Sequence, residues 1–363
     1  MTIADRLTAM LHRRHAVAGA GDATGGTITT TSAYHLPGVP QAEHQYGRWT
    51  NPGWSDLEAA LGLLEQAEVI IFPSGMAAIA AVLLSQCKPG DHLLLASDGY
   101  YTTRLLAEQY LVRAGVRLTI VATRDLAKHD LGGTDLALIE SPSNPQLDLV
   151  DLAVFSARAA AAGTRVIVDN TTMTMLGQQP LDLGAAATVA SDTKALGGHG
   201  DVLFGHVATR DPALAEAVRT WRKLSGSIPG PFEAWMVARS LESFEVRLER
   251  MSGNALAVAE ALDRHPALSV VYPGLPSHPD HALAARQMRS FGTLIGLTLA
   301  SEQAADAFIA ACPALSPQTS FGATHSSAER RARWGDAVAP GFVRLSIGCE
   351  PIEPLRTAIL AAL

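Results

Sequence analysis

Short apolar runs alternate with longer stretches of helical spacing through the first two thirds of the chain. The runs "EVIIF", "HLLLAS", "VRLTIV", "DLALIE" and "RVIVD" are apolar at successive positions, the pattern of strands covered on both faces. Between them, "MAAIAAVLLSQC", "TRLLAEQYLVRAG" and "LAVFSARAAAAG" have the length and periodicity of helices. This alternation predicts an α/β fold, a mainly parallel sheet with helices on both faces. Ahead of it, "SDLEAALGLLEQ" predicts a helix opened by a capping box, with Ser55 as N-cap and Glu58 three residues on. Residues 1–48 include "GDATGGTITTTSAYHLPGVPQ" and read as an arm with little helical pattern. After "GHVATR" the rhythm becomes that of long helices, "DPALAEAVRTWRKL" and then Glu233 to about Leu262. The last stretch returns to mixed α and β, with "TLIGLTLA" and "FVRLSI" as strands. A boundary near residue 235 is expected, giving an arm (1–48), a sheet-bearing domain (49–235) and a smaller C-terminal α+β domain (236–363).

At 363 residues the chain can build a large core. Being 48% hydrophobic and 17% charged, it has the composition of a packed globule, not of a fibre or a disordered tail. A net charge of −7 argues against nucleic acid or an anionic membrane as the main partner. No apolar run approaches the roughly 18 to 20 residues that span a bilayer. The start, "MTIADRLTAMLHRRHAVAGAG", mixes Asp5 with scattered arginines and does not read as a signal peptide. The 3 cysteines, Cys87, Cys312 and Cys349, lie far apart and fit a reducing cytoplasm better than a disulfide framework.

In an open parallel sheet, ligands bind at the carboxyl ends of the strands, so the polar residues that close the apolar runs are the ones to collect. "EVIIF" ends in "PSGMAA", where Gly75 and Met76 open a helix. Such a helix start offers free N–H groups to a phosphate, or is an ordinary strand-to-helix turn. "DLALIE" ends in "SPSNP", which leaves Asn144 as a fixed side chain or as a plain Asn turn. "RVIVD" ends in Asp169, either a cap or a carboxylate able to hold a cationic ring nitrogen. Further on, "VASDTKALGGHGDVLFGHV" sets Lys194 among small and hydroxylated residues, with Ser191 and Thr193 beside it. One explanation covers the set. A phosphate cradle (Gly75, Met76, Ser191, Thr193), a carboxylate (Asp169) and a lysine (Lys194) are what pyridoxal phosphate requires: an amine for its carbonyl, an acid that keeps its ring nitrogen protonated, and an anchor for its phosphate.

Further landmarks then fall into line. The segments "YGRWTNP", "PSGMAAI", "SDGYYTTR", "ESPSNP", "VDNT", "SDTKALGGHGD", "PGPFEAWMVARSLESFEVRLERM", "VYPGLPSHPDH" and "FVRLSIGCE" occur in this order from Tyr46 to the C-terminus. Together they resemble the Cys/Met-metabolism family of fold-type I pyridoxal phosphate enzymes, the trans-sulfuration enzymes. By that resemblance Lys194 carries the cofactor and shuttles protons, Asp169 pairs with the ring nitrogen, and Tyr100 stacks on the ring. Asn144 lies beside the cofactor's phenolic oxygen, and Arg344 pairs with the substrate α-carboxylate. Tyr46 and Arg48 reach a neighbouring subunit's phosphate, which implies at least a dimer and, by family habit, a homotetramer built as a dimer of dimers.

The resemblance is incomplete in places. The family's Tyr-Gly-Gly-Thr is here Tyr100-Tyr101-Thr102-Thr103, and its Glu-Ser-Leu-Gly is here Thr319-Ser320-Phe321-Gly322. Thr319 and Ser320 are expected to touch substrate, and a neutral Thr319 implies tolerance towards the distal end of the substrate. The following segment, 323–341, is shorter than usual and basic, closest to the cystathionine γ-lyase branch. The resemblance therefore implies γ-elimination from a sulfur amino acid such as cystathionine. Its rivals are γ-replacement, β-elimination, methionine γ-elimination, and a fold that binds cofactor without turnover. His199 and Asp201 lack a third ligand at useful spacing, so no metal is expected. Arg330, Arg331 and Arg333 read as a solvated helix face.

Overall fold

The computed structural model describes every residue of the chain except Pro40. Seven strands form the larger sheet: β1 (Glu68–Phe72), β2 (His92–Ala96), β3 (Arg117–Val121), β4 (Leu136–Glu140), β5 (Arg165–Asp169), β6 (Ala187–Ala190) and β7 (Gly205–Thr209). Their order is β1-β7-β6-β5-β4-β2-β3. Strand β7 runs antiparallel to both neighbours, and β2 to β6 are parallel where they pair. All the strands expected in this region form.

Helices cover both faces. In chain order they are α1 (Ile3–His12), α2 (Pro52–Glu65), α3 (Gly75–Gln86), α4 (Tyr101–Leu106), α5 (Leu152–Ala162), α6 (Thr174–Gly177), α7 (Pro212–Ser225), α8 (Pro231–Leu241) and α9 (Phe244–Asp263). Strand β1 shows why its run is continuously apolar. Val69 and Ile71 enter the cluster under α2 and α5, while Ile70 and Phe72 enter the one under α3 and α7.

A smaller second sheet completes the chain, with β8 (Ser269–Val271), α10 (His281–Gln287), β9 (Leu294–Thr298), α11 (Glu302–Ala311), β10 (Ser316–Pro317), β11 (Ser327–Arg330), β12 (Phe342–Ser346) and α12 (Ile352–Ala361). Its order is β10-β11-β12-β9-β8. Helix α9 serves both units. Phe244 and Leu248 pack in the first core, whereas Ala255, Val258 and Leu262 pack in the second.

Several local expectations are corrected. The arm begins with α1, capped by Thr2 and Asp5 and docked on α2 through buried Met10. Helix α2 starts at Pro52, and Asn51, not Ser55, is the N-cap. Proline has no N–H to lose at the first helical position, so the helix gains a turn at little cost. Glu58 accordingly does not close a capping box; it accepts from Ile71 N at 3.1 Å and from Arg222 Nη1 at 2.5 Å. The helix expected from Glu233 to about Leu262 is broken, because α8 ends at Leu241 and α9 begins at Phe244. The helix after Tyr100 widens into a π turn over Ala107–Leu111.

Candidate active site

A cleft of about 410 Å³ opens at the carboxyl ends of β4, β5 and β6 and is closed from the other side by the smaller sheet. Gly75, Met76, Tyr100, Asn144, Asp169, Ser191, Thr193, Lys194, Thr319, Ser320 and Arg344 all line it. Eleven positions singled out from the sequence thus meet in one place. Tyr46 and Arg48 do not: they border a separate depression with Asn51 and Pro229, where Arg48 Nη1 donates to Lys223 O at 2.6 Å.

The phosphate-sized end of the cleft is built by backbone. Ser74 caps α3 by accepting from Ala77 N at 3.1 Å, while the N–H groups of Gly75 and Met76 meet no acceptor among the described residues. Gly75 has no room for a side chain, since a Cβ there would lie 2.6 Å from Ser191 Cβ. The glycine lets the two segments close on each other. Thr193 is turned partly inwards, for its hydroxyl accepts from Phe204 N at 2.9 Å and donates to Phe204 O at 3.2 Å.

Asp169 ends β5 with one oxygen committed and one spare. Oδ1 accepts from Thr171 N at 3.0 Å and from Thr171 Oγ1 at 2.5 Å, while Oδ2 has no partner among the described residues. The same Thr171 hydroxyl receives Ser191 N at 2.8 Å, tying acid and cradle together. Burial raises the Asp169 carboxyl above its ordinary range, a cost that a cationic partner at Oδ2 would offset. Beside it, Glu140 occupies the paired position on β4. Burial, then Asp169 and Asp98, push Glu140 well above the carboxylate range, and its Oε2 accepts from Tyr100 N at 3.2 Å. Sequence reasoning passed over Glu140, although it closes "DLALIE" as Asp169 closes "RVIVD".

Lys194 Nζ lies 2.7 Å from Ser320 Oγ, across the seam between the two sheets. Burial, followed by the Arg344 charge, lowers its amine to about 8. The close fit at this seam depends on Gly322, whose φ is +81° and where a Cβ would lie 2.6 Å from Ala195 N. Behind the lysine loop is a charge cluster without access to water. His206 Nδ1 meets both Asp192 oxygens at 2.9 Å, and its Nε2 lies 3.2 Å from Glu65 Oε1. Arg247 of α9 secures the loop after Lys194 by donating to Ala195 O and Leu196 O, each at 2.8 Å.

Arg344 extends from β12 and is almost fully buried. It donates to Asn144 Oδ1 at 2.9 Å, Ser320 O at 2.8 Å and Glu329 Oε2 at 2.7 Å. Glu329 gave no sequence signal, lying in a polar run with neither apolar spacing nor a motif. The arginine face expected at 330–333 is corrected too. Arg330 ends β11, and Arg331 is held by Glu329 and Asp336 at the cleft. Arg333 belongs to the 3₁₀ turn Ala332–Trp334, so the three arginines share no helix face. His199 turns away into structure, with Nδ1 2.6 Å from Gly197 O and 3.3 Å from Ser240 Oγ.

The unused groups fit pyridoxal phosphate: bare amides at a helix start, a spare buried carboxylate oxygen, and an amine able to be neutral near physiological pH. Comparison with known proteins agrees. The family described as "Cys/Met metabolism PLP-dependent enzyme" matches residues 7–363. A Streptomyces coelicolor protein named "Putative cystathionine gamma-lyase" is 47% identical over 91% of this chain and 86% of its own length. The cystathionine gamma-synthase of Mycobacterium tuberculosis is 36% identical over 96% and 94%. Among solved structures, cystathionine gamma synthase from Xanthomonas oryzae pv. oryzae in complex with cystathionine superposes with a TM-score of 0.93 at 32% identity, covering 98% of this chain and 97% of that one. The chain therefore belongs to the Cys/Met metabolism family of PLP-dependent enzymes and is itself a PLP-dependent trans-sulfuration enzyme.

Proposed function

We propose that the enzyme is a carbon–sulfur lyase of the cystathionine γ-lyase kind, eliminating a sulfur leaving group from the γ-carbon of cystathionine and related sulfur amino acids. The observation that carries the underlying chemistry is the Lys194 amine sharing one cleft with Asp169 and Arg344, both of which act on it electrostatically. The relative at 47% identity supports the choice of γ-lyase. Asp169 would hold the ring nitrogen of pyridoxal phosphate, which when bound would supply an electron sink for charge developing at the substrate Cα. Gly75, Met76 and Ser191 would hold its phosphate, and Tyr100, half-exposed in the cleft wall, would cover its ring. Arg344 receives the substrate α-carboxylate through a rigid fork already fixed by Asn144, Ser320 and Glu329. Lys194 is the base and acid that moves protons at the substrate carbons, a role suited to an amine brought near 8. Ser320 orients that amine.

Tyr46 and Arg48 act on a second subunit's cofactor phosphate in this reading, so the working unit is at least a dimer and the assembly a homotetramer. Their distance from the chain's own cleft supports it. γ-Replacement is the second reading, favoured by the synthases among the relatives. Product identification decides: purified holoenzyme is given cystathionine, cysteine, methionine, or O-succinylhomoserine with cysteine. Release of cysteine, a 2-oxo acid and ammonia from cystathionine is expected. Formation of cystathionine as the dominant reaction would overturn the lyase assignment.

A further inference from the structure

The outer edge of the cleft is formed by residues that the chemistry above leaves unused. Past β11 the chain makes one 3₁₀ turn, Ala332–Trp334, and Arg331, Trp334 and Asp336 from this stretch all line the cleft. Arg331 is mostly buried there, its side chain 12% exposed. Its Nη1 donates to Glu329 Oε2 at 2.7 Å and its Nε to Asp336 Oδ2 at 2.7 Å, with Nη2 also 2.7 Å from that oxygen. A guanidinium carries five N–H groups in a rigid fork, so donors remain for a ligand. Glu329 in turn receives Arg344 and Trp334 Nε1, both at 2.7 Å. The two arginines therefore share one buried acid and face the same cavity. After burial, Arg331 is the strongest influence lowering the Arg344 guanidinium, as a nearby cation should be. On the wall beside them Thr319 is neutral. Trp334 is half-exposed, offering an apolar ring to a methylene chain.

We infer that Arg331 binds a second, distal carboxylate of the substrate, with Trp334 covering the chain between the two ends, so that, against the tolerance expected from a neutral Thr319, the site selects amino acids bearing a carboxylate at each end. The inference rests on the reading of Arg344 as the α-carboxylate site. Asp336 holds the Arg331 fork in place and competes with the distal carboxylate for it. Cystathionine belongs to this substrate class, as does O-succinylhomoserine; homocysteine and O-acetylhomoserine do not.

The test compares holoenzymes of wild type, Arg331→Met and Asp336→Asn. Binding of O-succinylhomoserine and O-acetylhomoserine is read from the cofactor's absorbance change on titration, and kcat/KM is measured for cystathionine and homocysteine. Arg331→Met is expected to lower the preference for the succinyl over the acetyl ligand, and for cystathionine over homocysteine, roughly tenfold, the loss of one charge-assisted hydrogen bond. Should that variant fail to fold, Asp336→Asn carries the test, since removing the competing acid is expected to raise both preferences. An equal loss for every ligand in Arg331→Met would mean that Arg331 acts only through Glu329 on Arg344, and overturns the proposal. Unchanged preferences in the variants also overturn it. A wild type that binds the succinyl ligand better but turns over no cystathionine would instead remove the lyase reading and leave the binding assignment standing.

Discussion

Lys194 Nζ lies 2.7 Å from the hydroxyl of Ser320, and Ser320 presents that hydroxyl from a left-handed backbone conformation, φ 76°. Such conformations cost a non-glycine residue about 1 to 3 kcal/mol and persist where surrounding structure enforces them. Here the enforcement is Arg344, which takes Ser320 O at 2.8 Å. One contact thus joins the proposed proton shuttle to the proposed carboxylate site.

Lys194→Ala is expected to abolish turnover and the covalent hold on the cofactor. Borohydride reduction of wild-type holoenzyme, then peptide mapping, should find the label on Lys194. A label on any other lysine would sink the assignment.

The lowered amine also sets a pH dependence. Only the neutral amine attacks a carbonyl, so attachment of pyridoxal phosphate to apoenzyme should accelerate as pH rises and level off above about 8. Stopped-flow absorbance measures it. A rate that stays flat through this region would show the amine is not the limiting group.

Asp169→Asn keeps the shape and the Thr171 contacts but removes the negative charge. Cofactor content should be largely retained while kcat falls roughly a hundredfold, the low end for a lost proton-holding group. An unchanged kcat would reduce Asp169 to a cap on Thr171.

His206 should contribute stability with a definite sign. Burial alone would lower its imidazole, but Asp192 and Glu65 outweigh burial and raise it from 6.5 to about 10. The contribution is complete below about 6.5 and fades as pH climbs through about 10. His206→Ala strands two buried carboxylates and should cost about 3 to 5 kcal/mol, much of it recovered in Asp192→Ala with His206→Ala. Denaturant unfolding of both variants measures the coupling; purely additive losses would deny it.

Arg48→Ala and Lys194→Ala chains, each inactive alone, should regain partial activity when mixed, because one site of a hybrid pair has both residues intact. Native mass spectrometry confirms that hybrids form. Hybrids that form and stay inactive would place Arg48 outside the neighbouring site.

The sheet was legible because most of its strands are buried on both faces and read as solid apolar runs; β3, at the sheet edge, alternates instead and is only partly covered. Most of the cleft was legible for a related reason: Asp169, Asn144 and Lys194 follow such runs directly. What escaped detection was held by tertiary contact. Glu329 owes its place to Arg344 across β11 and β12, and Pro52 displaced the start of α2 through the chemistry of a single residue. The Arg331 segment misled because three arginines within four positions fit one helix face, whereas here a strand end at Arg330 and the 3₁₀ turn holding Arg333 divide them.

Helix α9 has a mechanical consequence. Its 20 residues span about 30 Å, with one end seated beneath the large sheet and the other beneath the small one. Within the large-sheet seat, between Phe244 and Leu248, Arg247 grips the carbonyls of Ala195 and Leu196, immediately after Lys194. Any tilt of the small sheet that carried this rod with it would pull on the lysine loop, gearing the Lys194 amine to Arg344 on β12.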